Sequence, residues 1–257
     1  MHDIGALLAG ALLFVWSTTA VATACPPDRI DTRAAVDRVH DGDSIRLADG
    51  RDVRLVGINT PEMGRDGAPD EPLARGAREA LIDLLAGDRT VGLEMAPEGT
   101  DRYDRLLAHV YTADGRNVAA ALLRRGLGWH IAVPPNLGHL DCYRRAERSA
   151  READRGVYGE AALAPVAAAD LGANAGGFAL VTGTIQRVGT SRRAYWLDLG
   201  ELTLRLARAD LPYFENTDPD RWHGRSLRAR GWIYQVDGQA RMNLRHPAAV
   251  EWMDNGK

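Results

Sequence analysis

The chain of 257 residues lacks most signatures of the commoner catalytic and binding chemistries. It has only two cysteines, Cys25 and Cys142, and neither has the companions of a zinc site or a motif supporting a thiol nucleophile. There is no serine–histidine–aspartate order, no Gly-rich phosphate loop and no metal-ligand histidine pair. A repeat at fixed short period is missing as well, which excludes a solenoid. Strong positive charge is also absent. The formal net charge is −3, so tight non-specific attraction to a polyanion and high processivity are not expected.

Long apolar runs are confined to one place. Ile4 to Trp16 is apolar but too short for a comfortable membrane span, and it leads to the small-residue sequence Ala22-Thr23-Ala24. This predicts a signal peptide over 1–24 and export to the periplasm or the medium, with no membrane span in the mature chain. His2 and Asp3 give a poor n-region, which leaves an uncleaved anchor or a misassigned start open. Cys25 directly after Ala24 raises lipidation, but Ala22 stands where a large aliphatic residue is usual, so secretion is the preferred reading. An oxidising compartment suits a Cys25–Cys142 bridge. Closing so long a loop would contribute about 4–5 kcal/mol in the chain-entropy model. Two unpaired thiols are the alternative.

What is present is a set of phosphodiester-cleaving ingredients in separated stretches. Asp43 lies in Val39-His40-Asp41-Gly42-Asp43-Ser44-Ile45, Arg54 opens a run to Thr60-Pro61-Glu62, and Arg105 closes Asp101-Arg102-Tyr103-Asp104-Arg105. A carboxylate and an amide oxygen suit a hard divalent cation. A glutamate can take a proton from water, and two arginines can clamp a phosphoryl group as its charge grows. Each motif alone reads as an ordinary turn, loop end or solvated face. Together and in this order they define a site.

The set resembles the staphylococcal-nuclease-like (thermonuclease) family, over about residues 35–160. A weaker fourth match is Val118 to Gly128, a helix ending in glycine. The resemblance implies that Asp43 is a metal ligand and that Thr60 contributes its backbone carbonyl. It implies that Glu62 positions or deprotonates the attacking water, and that Arg54 and Arg105 contact the scissile phosphate. Arg102 and Tyr103 fall where the family contacts a neighbouring phosphate. The cofactor so implied is calcium, with another divalent metal as the alternative, and the products would carry a 3′-phosphate. Asn59 departs from the pattern, standing where a second aspartate ligand is usual. Its carbonyl still serves a cation, but the lost charge implies a weaker or altered metal site.

Two units are expected. Residues 25–160 would form a nuclease domain, 161–177 an Ala/Gly-rich linker, and 178–257 an accessory domain. In the first, strands are predicted at Arg33–Val39, Asp43–Leu47, Asp52–Val56, Thr90–Met95 and Leu106–Thr112. Helices are predicted at Leu73–Leu85, Asn117–Arg125 and Leu140–Asp154. This mainly β, α+β content suits a five-stranded OB-fold barrel, as the resemblance also implies. Met63 to Pro72 would be a mobile loop beside Glu62. Five further strands, at Ala179–Val188, Ala194–Leu199, Glu201–Ala207, Ser226–Val236 and Ala240–Leu244, predict a second small OB-like barrel.

Charge differs between the halves: residues 25–159 hold 20 basic against 23 acidic groups, and 178–257 hold 12 against 9. The tail is therefore the better general phosphate-contacting surface. Its aromatics Tyr195, Trp196, Trp232, Tyr234 and Trp252 are read mostly as barrel core, with base stacking as the alternative. The resemblance places Trp129 and His130 near where the family sets an aromatic beside the substrate base, so either could stack on one; a buried Trp129 with a surface His130 is the equal alternative. The expected activity is a monomeric, metal-dependent nuclease acting on DNA, RNA or both. Its rivals are a non-catalytic nucleic-acid-binding protein with a degenerate site, and a cell-envelope protein whose barrels bind protein.

Overall fold

The computed structural model describes residues 25–215 and 217–253, so the expected signal segment lies outside the described residues. Strands β1 (Thr32–Val39), β2 (Ser44–Leu47) and β3 (Asp52–Leu55) form a meander. Its second turn, Ala48 to Arg51, needs the left-handed Gly50 at φ 89°. A two-residue strand β4 (Ile58–Asn59) precedes helix α1 (Ala74–Leu84), whose Ala74, Ala77, Leu81 and Leu84 fall on one buried stripe. Strands β5 (Thr90–Thr100) and β6 (Leu106–Tyr111) follow, and then α2 (Val118–Arg124). The Asn117 side chain caps α2, accepting from the Ala120 N–H at 2.9 Å. A second short strand, β7 (Trp129–His130), and helix α3 (Leu140–Arg151) end this half.

The strands close into a barrel in the order β1-β2-β3-β6-β5, with β3 and β6 parallel. Ile45, Leu47, Val53, Leu55, Val91, Leu93, Ala108 and Val110 fill its interior, and α1 and α2 share the same core. The predicted bridge is present: Cys25 and Cys142 are joined at S–S 2.02 Å across a sequence separation of 117 residues.

The C-terminal half is a curled sheet of β8 (Val166–Ala167), β9 (Gly177–Thr184), β10 (Arg187–Thr190), β11 (Ala194–Asp198), β12 (Leu202–Ala207), β13 (Ser226–Val236), β14 (Gln239–Leu244) and β15 (Val250–Trp252). Its order is β10-β11-β12-β14-β13-β9-β8, with β15 on β13 and with β12 and β14 parallel. Only Ile185 and Gln186 separate β9 from β10, so one bent strand stands near both ends of the path. That is the strand order of the first barrel, repeated. The tight Asp237-Gly238 turn has both residues left-handed, at φ 51° and 74°, as a two-residue hairpin loop requires.

The segment predicted as a linker does more than connect. Val166 and Ala167 pair with β9, and Ala168 is buried in the second core. Alanine suffices there because the neighbouring strand approaches closely at Gly183, where an added Cβ would lie 3.2 Å from Ala168 Cβ. The two halves meet over a small apolar cluster of Trp129, Val157 and Leu180. Beside it the Arg230 guanidinium of β13 grips both carboxylate oxygens of Glu147 on α3 and donates to the His130 carbonyl at 3.1 Å.

Candidate active site

The site is built where β2 and β3 meet the β4–β7 ribbon. Asp43 precedes β2 and is buried. Its backbone N–H donates to Asp41 Oδ1 at 3.0 Å, which shapes the Asp-Gly-Asp turn. Gly42 is required there, because an added Cβ would lie 2.7 Å from Ala77 and 2.8 Å from Thr60. Asp43 Oδ2 accepts from the Thr60 N–H at 2.7 Å and pairs with Arg54 Nη2 at 3.0 Å. Burial pushes the Asp43 pKa up to about 7; the Arg54 charge opposes that rise and the Asp41 charge adds to it.

Arg54 is held by four acceptors. Nη1 donates to the Leu55 and Ile58 carbonyls, both at 2.8 Å, and Nη2 donates to Asn59 Oδ1 at 3.0 Å as well as to Asp43. Asp43 and Asn59 therefore present their oxygens to the same nitrogen. The Thr60 carbonyl lies beside them, 3.4 Å from Asn59 Nδ2. This all-oxygen set fits a hard divalent cation, and a carboxylate so desolvated gains strongly from added positive charge.

Arg105 approaches from the other side. Asp101 orients it with bonds from Nε at 2.8 Å and from Nη2 at 2.7 Å. Its Nη1 reaches Ser44 Oγ at 3.4 Å, and Ser44 Oγ in turn donates to Asp43 Oδ1 at 3.2 Å. The Arg105 guanidinium also lies 5.6 Å from the centre of the Tyr103 ring, with Arg102 over the same ring at 4.7 Å. Tyr103 is 64% exposed, so an aromatic flanked by two cations faces solvent at the rim. Glu62 is exposed and makes no side-chain bond to the cluster among the described residues. Crowding around its carboxyl, and next the Asp41 charge, raise its pKa while Arg54 opposes the shift. Its backbone N–H is tied to Glu71 at 2.8 Å, which anchors one end of the Met63–Pro72 loop.

Asp43, Arg54, Asn59, Thr60 and Arg105 thus belong to one hydrogen-bonded chain, joined to Tyr103 and Arg102 through ring contacts. Sequence reasoning did not assign Asp41, Ser44 or Asp101 a role, although each lies inside a motif it quoted. Their function is orientation, which emerges only once the turns are folded. The ribbon carrying Asn59 is fixed from behind: Asn59 pairs with Trp129 and Ile58 with His130. Both Trp129 and His130 are buried, so the expected surface position of His130 does not hold and neither ring is presented to a base. His130 is pulled into the interior by its bond to the Gly57 carbonyl at 2.9 Å and by Glu147, which accepts its backbone N–H at 2.8 Å. Burial lowers its pKa to about 4, so the ring is neutral at pH 7.

A second donor group lies beside the disulfide. Oxygen and nitrogen atoms of Asp28, Glu94 and His139 lie within 4.8 Å of one another and could hold a metal ion. Glu94 Oε2 is already engaged there by His139 Nε2 at 3.0 Å and by the Tyr111 hydroxyl at 3.2 Å.

Known proteins resemble part of this chain in sequence. Residues 52–160 match the family described as Staphylococcal nuclease homologue. A protein named "Uncharacterized endonuclease" from Escherichia coli O157:H7 is 33% identical over 141 residues, covering 52% of this chain and 82% of that one. The thermonuclease of Staphylococcus intermedius is 32% identical over 126 residues, 48% of this chain and 74% of its own. Endonuclease YncB of Bacillus subtilis is 32% identical over 121 residues, 45% of this chain and 56% of its own. The chain belongs to the family of staphylococcal nuclease homologues.

Proposed function

We propose that the chain is an exported, metal-dependent nuclease that hydrolyses phosphodiester bonds of DNA, RNA or both. The observation that carries this reading is the continuous chain from Arg105 through Ser44 and Asp43 to Arg54 and Asn59. It places two guanidinium groups and an oxygen cradle around one position. Asp43, Asn59 and the Thr60 carbonyl would hold the cation, calcium by family likeness, which supplies positive charge against the phosphate when bound.

Glu62, with its raised pKa, takes the proton of the attacking water. The water oxygen forms a bond to phosphorus while the bond to the 5′ oxygen breaks. The upstream fragment keeps the phosphate on its 3′ oxygen, the departing 5′ oxygen of the downstream fragment is protonated from solvent, and Glu62 returns its proton to solvent. Arg105, pre-oriented by Asp101, and Arg54 meet the charge that grows on the phosphoryl oxygens. Arg102 and Tyr103 contact the next phosphate. The enzyme acts as a monomer, with the catalytic unit in residues 25–160 and an accessory unit after 177.

The test uses residues 25–257 with oxidised thiols, single-stranded DNA, and calcium, other divalent ions or chelator. Cleavage that needs a divalent ion and is lost in both Glu62→Gln and Arg105→Ala is expected. Binding without cleavage under every ion would instead make the site a phosphate pocket of a binding protein.

A further inference from the structure

The outward face of the C-terminal sheet carries a row of aromatic and basic side chains that lie outside its core cluster. Strand register sets Trp196 on β11 opposite Arg205 on β12, and Arg205 opposite Asn243 on β14. On the other flank Trp232 of β13 stands opposite Phe178 of β9. Burial alternates along these strands: Leu197, Leu204, Leu206, Met242 and Ile233 face the core, while the row faces out. Of the tail aromatics, Tyr195 and Trp252 pack against the core, but Trp196, Trp232 and Tyr234 belong to this outer face.

The row has the chemistry of a stacking surface. Arg205 and Arg241 lie 5.8 and 5.2 Å from the centre of the Trp196 ring, and neither forms an ion pair among the described residues. The acid on the neighbouring register, Asp198, is neutralised by Arg187 at 2.9 Å. Trp232 is 43% exposed, an unusual position for so large an apolar ring. One end of the row abuts the seam between the two halves. Phe178 lies 5.2 Å from Trp232 on one side and 5.1 Å from Trp129 on the other, and Trp129 pairs with Asn59.

We propose that this face binds single-stranded nucleic acid as a second substrate contact, with bases on Trp196 and Trp232 and phosphates on Arg205 and Arg241. The proposal rests on the nuclease reading for its substrate class. At roughly 4.8 Å between strands, five strands span about 19 Å, enough for several nucleotides. An exposed ring and a half-buried one, set among arginines, suit a single strand, whose bases offer both faces, and not a stacked duplex.

The experiment measures, with chelator present, the affinity of the whole chain for oligothymidylates of 4 and 20 nucleotides. The longer probe should bind at least about tenfold more tightly. In Trp196→Ala/Arg205→Ala that gain should fall about tenfold, and the salt dependence of the 20-mer should weaken by about 0.7 in log–log slope for the lost phosphate contact. Trp232→Ala should lower the gain, and Trp232→Phe should restore it. Because the ratio of the two affinities is read, a general loss of fold cancels. Equal affinities for the two lengths, or a gain unchanged in the double variant, would overturn the proposal. Binding is read without cleavage, so failure of the nuclease reading shows separately.

Discussion

Each half of the molecule puts an arginine on the third strand of the same strand order, and the two are held in opposite ways. Arg54 of β3 is buried, with four acceptors at 2.8 to 3.0 Å fixing its fork. Arg205 of β12 is half-buried, rests against a tryptophan, and among the described residues has one polar contact, to Asn243 at 3.3 Å. A guanidinium whose four Nη hydrogens are all taken by protein acceptors is locked in one place, and its Nη2 meets a phosphate only once a cation draws Asp43 and Asn59 away from it. One that slides over an aromatic ring can follow many backbone conformations, as sequence-tolerant binding demands. The same strand order thus holds a guanidinium in either way, and the surrounding acceptors decide which.

Exchanging arginine for lysine at both positions sharpens this contrast most. A lysine at 54 keeps the charge but cannot bridge Leu55, Ile58, Asn59 and Asp43 together. Cleavage by Arg54→Lys should therefore fall by about 10²–10³-fold in kcat. In Arg205→Lys the affinity for a 20-nucleotide strand should change less than about threefold, because a point charge still meets a phosphate there. Comparable losses at both sites would mean that the two arginines are not differently organised.

The halves also differ in what staples them. The first barrel carries the Cys25–Cys142 bridge, whereas the second core closes without one. Cys142→Ser should cost about 4–5 kcal/mol. Helices α1 to α3 all lie in the first half, and four of the five described tryptophans lie in the second. In a urea titration the far-ultraviolet helical signal should shift to lower denaturant ahead of tryptophan fluorescence. Coincident shifts would show that the two halves unfold as one unit.

The seam tests that coupling directly. Burial opposes ionisation of Glu147, but the Arg230 charge and its hydrogen bonds hold the carboxyl pKa below the usual range. Arg230→Ala leaves that carboxylate buried among Tyr158 and the His130 N–H without its cation, at a cost of about 3 kcal/mol. Because His130 is paired with Ile58 next to Asn59, metal affinity should weaken along with stability. Lost stability with unchanged metal affinity would reduce the seam to packing alone.

Much of this architecture is legible in the chain. Alternating apolar residues placed most of the longer strands within a few positions, although β5 runs on to Thr100 and β15 was not foreseen; Asn117 announced the start of α2, and Asp237-Gly238 announced its hairpin. The β4–β7 ribbon was not legible, because two residues are too few to show a period and their pairing is decided by tertiary contact. The same holds for β8, which alanine-rich composition disguised as a connector. The candidate site was legible in its residue types, and its geometry was hidden. Arg54 reads as a phosphate clamp, but its bonds to the Leu55 and Ile58 carbonyls depend on how the chain turns at Gly57. That turn needs glycine: φ is 88°, and an added Cβ would lie 2.2 Å from the Tyr143 ring.

Asn59 gives the smallest and most selective expected effect. Its Oδ1 accepts from Arg54 at 3.0 Å, a bond that an aspartate could also accept with little change in shape. Asn59→Asp adds one negative charge beside Asp43 without adding bulk. With no cation that charge leans more heavily on Arg54; with a divalent cation it becomes a second anionic oxygen ligand. The divalent-ion concentration giving half-maximal cleavage should therefore drop about tenfold, or about 1.4 kcal/mol. Metal binding followed by calorimetry on uncleavable substrate-free protein should tighten in step. If the requirement stays where it is in both measurements, Asn59 is not a ligand, and the cation must be held by Asp43 with other oxygens of the turn.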